Sequence, residues 1–133
     1  MASIFTRIIN GEIPCHKVAE SDDYFAFLDI SPLTKGHTLL VPKVEVDQYF
    51  DLDDVQLAGL TLFSKRIAKA LKNTVDCMRV GVIVAGLEVP HAHVHLVPMT
   101  SEGDLSFSKE RVNMTQEEFA ALAEKIAIAY GKD

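Results

Sequence analysis

Apolar and polar positions change period several times along this chain, and each change marks an element. Phe5, Ile8 and Ile9 keep helical spacing for one short turn, which Asn10-Gly11 stops, and Glu12-Ile13-Pro14 leads into extended chain. Cys15 to Ala19 reads as a first strand and Ser21-Asp22-Asp23 as a tight turn. The aromatic-rich run Tyr24 to Leu28 completes a hairpin, which Asp29-Ile30-Ser31-Pro32 breaks. A third strand, His37 to Val41, follows Gly36 and ends at Pro42, which has no N–H for a ladder.

The period then lengthens. Asp51 caps a helix in which Val55, Leu60, Phe63, Ile67, Ala70 and Leu71 recur at helical spacing as far as Lys72. Met78 to Ala85 and His93 to Val97 read as the fourth and fifth strands. A turn around Gly86 joins them as antiparallel neighbours, both in the middle of the sheet. Thr115 and Glu118 have the spacing of a capping box, with Met114 and Phe119 as its hydrophobic staple. The helix they start turns Phe119, Leu122, Ala123, Ile126 and Tyr130 inward and ends at Gly131. Between them Thr100 to Asn113 is a polar loop, in which Leu105 and Phe107 are the residues expected to touch the body of the protein. The pattern predicts an α+β fold: a five-stranded antiparallel sheet, one long helix after the third strand, a short N-terminal helical turn and a C-terminal helix.

Composition narrows the reading. The 133 residues are 48% hydrophobic, enough for one core, and no repeat, linker or low-complexity tract divides them, so residues 1–133 form a single domain. The net charge of −6 argues against a general nucleic-acid binder but leaves room for a small phosphorylated ligand held by local groups. Cys15 and Cys77 lack Cys-x-x-Cys spacing and read as reduced thiols. No run approaches the length of a spanning helix, and the first residues lack a cationic-then-apolar pattern, so no membrane partner and a cytoplasmic setting are expected.

The chemistry concentrates in Val89-Pro90-His91-Ala92-His93-Val94-His95-Leu96-Val97-Pro98, where three of the five histidines alternate with apolar residues. In extended chain His91, His93 and His95 share one face, roughly 6–7 Å apart from Cα to Cα, while Ala92, Val94 and Leu96 take the core side. Imidazole is largely neutral yet easily protonated near pH 7, so three together can divide the tasks of attack, proton donation and anion binding. Two other readings stay open: a polar sheet face, and a zinc site built from histidines at i and i+2. The motif itself supplies no Cys, Asp or Glu as a further ligand.

The run His91-Ala92-His93-Val94-His95-Leu96-Val97 resembles the His-x-His-x-His motif of the histidine triad (HIT) superfamily. Phe5 through Ile13-Pro14, Phe27-Leu28-Asp29-Ile30-Ser31-Pro32 and Gly36-His37-Thr38-Leu39-Leu40-Val41-Pro42-Lys43 are similar to its upstream segments in the same order, so the likeness runs from about residue 5 to 98. The resemblance implies a homodimer that hydrolyses or transfers nucleoside monophosphate groups through a nucleotidyl-histidine intermediate, with no cofactor. It implies His93 as nucleophile, His95 and His37 at the α-phosphate, and His91 as hydrogen-bonding support. Asp29 would bind the ribose hydroxyls, and Phe5, Ile8, Ile13, Phe27 and Ile30 would enclose a purine base. The residue types allow these roles. Asp29 has two acceptors for a vicinal diol, though it can equally start the turn before Pro32, and His37 can equally be a buried histidine bonded to backbone.

The chain departs from the family where Gly86-Leu87-Glu88 stands in place of a polar Gly-Gln-Ser-like run, where Val84 replaces an asparagine, and where Glu45 replaces a histidine after Pro-Lys. The expected substrates are purine nucleoside phosphoramidates or dinucleoside polyphosphates. The alternatives are a nucleotide-binding module with weak catalysis, motivated by Leu87 and Glu88, and a zinc-binding protein.

Overall fold

The computed structural model describes residues 2–132. Helix α1 (Ile4–Ile9) starts at Ser3, whose Oγ accepts the Thr6 N–H, and stops before Gly11, at φ 80°. Strands β1 (Lys17–Glu20), β2 (Tyr24–Leu28) and β3 (Thr38–Pro42) follow, then a 3-10 turn over Tyr49–Asp51 and the long helix α2 (Asp54–Thr74). Strands β4 (Arg79–Ile83) and β5 (Val94–Met99), a second 3-10 turn over Glu102–Leu105 and helix α3 (Gln116–Gly131) complete the chain. The sheet order is β1-β2-β3-β5-β4, antiparallel throughout. The α+β expectation therefore holds. Among the described residues no helix is long and apolar enough to cross a membrane.

Three local expectations are corrected. The cap of α2 is Asp53, which accepts the Gln56 N–H at 2.8 Å, because Asp51 is already used in the 3-10 turn. β4 lies at the sheet edge, since its one neighbour is β5, which stands between it and β3. The link between β4 and β5 is also longer than a tight turn. β4 stops at Ile83 and β5 begins at Val94, so residues 84–93, including His91 and His93, form a loop. Its backbone bonds elsewhere: Pro90 has no N–H, and the Ala92 N–H donates to the Val46 carbonyl at 2.7 Å.

Strand alternation divides the sheet into two faces. One carries Ala26, Leu28, Leu40, Val94 and Leu96, which pack with Leu60, Phe63, Ile67 and Leu71 of α2 and Leu122 and Ile126 of α3 in the main core. The other carries Phe25, Phe27, Leu39 and Val41, covered by Phe5 and Ile8 of α1. Register puts His95 on this second face, opposite Leu39 on one side and Ile83 on the other. Gly36 brings the chain into β3 at φ 95°, where a Cβ would lie only 3.0 Å from Val75 and 3.1 Å from Pro98. A side chain there would displace the chain where it enters β3, at His37.

Candidate active site

His91, His93 and His95 are all buried, as is His37. Buried imidazoles need partners for both nitrogens, and those partners fix where each proton sits. The Leu33 N–H donates to Nδ1 of His37 at 3.0 Å, so neutral His37 carries its proton on Nε2. That Nε2 lies 2.9 Å from Nδ1 of His95 and donates to it, which leaves His95 with its own proton on Nε2. The Pro42 carbonyl can only accept, so His91 donates from Nε2 at 2.7 Å and its Nδ1 accepts from the Ser3 hydroxyl, also at 2.7 Å. By the same logic His93 gives its Nδ1–H to the carbonyl of His91 at 2.7 Å. In the neutral ring this leaves its Nε2 with a lone pair, and the rings of His93 and His95 stand edge to face at 5.1 Å.

Burial keeps His37, His91 and His95 uncharged. It pushes His37 down to about 4, and it pushes His95 and His91 down as well; neighbouring positive charge adds to the effect at His37 and His95. Phe5 of α1 meets His93 edge to face at 4.9 Å and His91 at 5.9 Å. The helix is tied to the loop after β3 by Glu45, whose Oε1 accepts the Ser3 N–H at 2.7 Å and the Thr6 hydroxyl at 2.6 Å. Those two bonds hold the Glu45 carboxyl down to about 2. Glu45 thus anchors α1, and with it the Ser3 hydroxyl on His91.

His93 and His95 open into a cavity of about 320 Å³ that is also lined by Phe5, Asp29, Phe107 and Arg111. Leu87 and Glu88 form part of its rim and are exposed to solvent. A second cavity of about 400 Å³ reaches His93 from the other side of the Gly86-Leu87 loop and is lined by Asp47, Gln48 and Phe50. Asp29 presents Oδ1 to the Ser31 N–H at 2.8 Å and Oδ2 toward His37 at 3.6 Å. Partial burial pushes its carboxyl up.

The predicted residues do not all meet in one place. Phe5, Asp29, His93 and His95 line the first cavity. His37 stands behind His95 and acts through it, and His91 stands behind His93. Phe27 belongs to the small core under α1, with Ile8 packed against it, whereas Ile13 is half-buried and Ile30 is 71% exposed; none of these four lines the cavity. Sequence reasoning missed Arg111. Within Lys109-Glu110-Arg111 it reads as a solvated charge, and the only hint was Phe107, whose ring packs edge to face on His95 at 5.1 Å.

Asp29, His37 and His95 bring ligand atoms within 4.8 Å of one another, so a metal ion must be considered. The donor set does not suit one. A metal needs lone pairs at about 2.0–2.1 Å from each imidazole nitrogen. Here the Leu33 N–H occupies Nδ1 of His37, and the proton on its Nε2 is shared with His95. The group fits a chain of hydrogen bonds.

The HIT domain family matches residues 10–102, and the chain belongs to that family. It is 33% identical to an adenosine 5'-monophosphoramidase of Schizosaccharomyces pombe over 129 residues, 96% of this chain and 97% of that one. A hypothetical histidine triad nucleotide-binding protein from Sulfolobus tokodaii superposes with a TM-score of 0.85 at 29% identity, covering 96% of this chain and 91% of that one. A zinc-bound histidine triad protein from Mycobacterium smegmatis superposes with a TM-score of 0.84 at 25% identity, covering 99% and 95%.

Proposed function

We propose that this chain is a nucleotide-binding phosphohydrolase or nucleotidyl transferase. On this reading it cleaves purine nucleoside phosphoramidates or dinucleoside polyphosphates at the α-phosphate through a nucleotidyl intermediate on His93. The observation that carries the reading is the hydrogen bonding of the triad, which leaves a lone pair on Nε2 of His93 and a proton on Nε2 of His95, on two rings in edge-to-face contact. In the first step the His93 lone pair forms a bond to the α-phosphorus. The bond from phosphorus to the leaving group breaks, its electron pair departs with the leaving group, and that group takes up a proton from solvent water. The His95 donor steadies the non-bridging oxygen as charge builds on it, and His37 holds that donor in place. Water then attacks the phosphorus, breaks its bond to His93 and releases the nucleoside monophosphate.

Asp29 supplies the acceptor for the ribose diol, and Phe5 supplies an apolar wall for the base. The phosphoramidase relative supports the amidate substrate. We extend the proposal to a twofold homodimer that continues the sheet across β4, an edge strand whose Val82 is 60% exposed.

The test is to incubate the protein with adenosine 5'-phosphoramidate, quench it, and locate the adduct by mass spectrometry. An AMP group on His93, together with release of AMP, is expected. Turnover with the adduct on His91 or His95 would move the nucleophile, and AMP binding without turnover would leave a binding module. Sedimentation at micromolar concentration checks the dimer.

A further inference from the structure

A nucleotide brings negative charge into the cavity, and the histidines there supply no permanent positive charge to meet it. Burial keeps His37 and His95 neutral, Asp29 and Glu88 add negative charge to the wall, and the chain as a whole carries −6. Arg111 is the one lysine or arginine among the residues that line the cavity. It comes from the loop between β5 and α3, beyond residues 10–102 where the family match ends.

That loop is secured against the body of the protein. The Val112 N–H donates to the Pro32 carbonyl at 2.9 Å, and Nη1 of Arg111 donates to the Ser31 carbonyl at 2.6 Å. Nη2 reaches the Phe107 carbonyl at 3.3 Å, and the guanidinium carbon lies 5.7 Å from the centre of the Phe107 ring, which itself packs on His95. Two carbonyls do not exhaust the donors of a guanidinium, so N–H groups remain for an anion. Its charge is felt on the cavity floor, where it lowers the proton affinity of Asp29, His37 and His95.

We propose that Arg111 is a phosphate-binding residue of this site, its guanidinium pairing with a non-bridging oxygen of the nucleotide's α-phosphate while Phe107 holds it over His95. The inference rests on the nucleotide reading above and deepens it: affinity for the phosphate, as distinct from the nucleoside, comes from a segment outside the matched domain. A charged donor removes repulsion that neutral imidazoles leave unanswered, and a guanidinium fixed by two carbonyls loses little freedom on binding.

Calorimetric titration of the whole chain with AMP and with adenosine tests the idea in wild type, Arg111→Gln and Arg111→Lys. Arg111→Gln is expected to weaken AMP by about tenfold or more, the range for losing a hydrogen bond to a charged group. Adenosine binding should stay within about twofold, Arg111→Lys should recover part of the loss, and the salt dependence of AMP binding should flatten in Arg111→Gln. Unchanged AMP affinity in Arg111→Gln overturns the assignment and leaves the nucleotide reading intact. An equal loss for AMP and adenosine, or a loss that lysine does not recover at all, overturns it in favour of a loop anchor. Failure of the wild-type chain to bind AMP overturns both readings together.

Discussion

The two faces of the sheet come from the same alternating strands and solve opposite problems. Under α2 and α3, Leu28, Leu40 and Leu96 are removed from water, and their neighbours ask only for matching volume. On the other face His37 and His91 are buried as fully as those leucines, yet each must find a donor or acceptor for every nitrogen. They do so from backbone, hydroxyl and imidazole groups: Leu33 N–H and His95 Nδ1 for His37, Pro42 C=O and Ser3 Oγ for His91. Burial is therefore structural on one face. On the other it is a way of setting protons, because each fixed hydrogen bond dictates the tautomer of the next ring.

The strongest way to sharpen the contrast is one substitution on each face. His93→Ala is expected to cut kcat on adenosine 5'-phosphoramidate on the order of 10⁴-fold or more, as loss of a covalent nucleophile does, with the melting temperature close to wild type. Leu96→Ala should lose about 2–5 kcal/mol of stability to the cavity it leaves while keeping its turnover per folded molecule. Steady-state kinetics and urea denaturation on both variants check this. A His93→Ala protein that unfolds, or a Leu96→Ala protein that folds normally but is inactive, would erase the distinction.

The next test is pH. The unfolded chain protonates its histidines near 6.5, while His37 in the folded protein resists protonation until about 4, and His91 and His95 are shifted the same way. Below pH 6.5 the unfolded state therefore binds more protons, and stability falls as pH falls. At pH 5 His37 alone contributes a loss of about 2 kcal/mol, from 1.36 kcal/mol per pH unit. Glu45 and Asp104, both held near 2, stay ionised through this window and do not mask the effect. Urea midpoints at pH 7.5, 6 and 5 should decline in that order, and a flat series would mean that the rings are not kept neutral by the fold.

The contrast also explains what could be read in advance. Alternation assigned Ala92, Val94 and Leu96 to the core because extended chain turns side chains to opposite sides whether or not a ladder is present. It could not reveal that His93 precedes β5, since that depends on the Ala92 N–H choosing Val46 over β4. Hydrophobic character alone did not separate Phe5, in the cavity wall, from Phe27, in the small core, or from Ile30, out in solvent. Strand order was equally hidden, because β4 at the edge and β5 inside carry similar apolar runs. Arg111 was missed because a charged residue in a polar loop has no periodic signature; only the folded path of the loop brings it to the site.

Glu45 offers a smaller perturbation that reaches the site from outside the cavity. Glu45→Ala removes the acceptor for the Ser3 N–H and Thr6 hydroxyl, loosening α1 and with it Phe5 and the hydroxyl that holds His91. KM is expected to rise by less than about tenfold, as for the loss of exposed charged contacts, with kcat affected less. Glu45→Gln, which can still accept both bonds, should recover most of the change. A Glu45→Gln protein as impaired as Glu45→Ala would point to the charge itself.

The smallest effects are expected at the rim, at Leu87 and Glu88. Leu87 is 94% exposed, and Gly86 before it turns at φ 75°, so the side chain stands in water rather than over His93. A donor placed there meets solvent in the ground state and in the transition state alike, and such uniform interactions do not lower a barrier. Leu87→Gln is therefore expected to change kcat by less than about twofold on substrates with good or poor leaving groups, because removing exposed side-chain contacts is close to neutral. Glu88 differs only in charge. Its carboxylate sits at the mouth through which an anionic substrate must pass, so Glu88→Ser should lower KM slightly at low salt, with the gain vanishing once the Debye length falls to about 8 Å at physiological ionic strength. Kinetics on both variants across a salt series decide the matter. A large rise in kcat for Leu87→Gln, confined to poor leaving groups, would mean that the loop folds inward when substrate binds and that this rim belongs to the catalytic face after all.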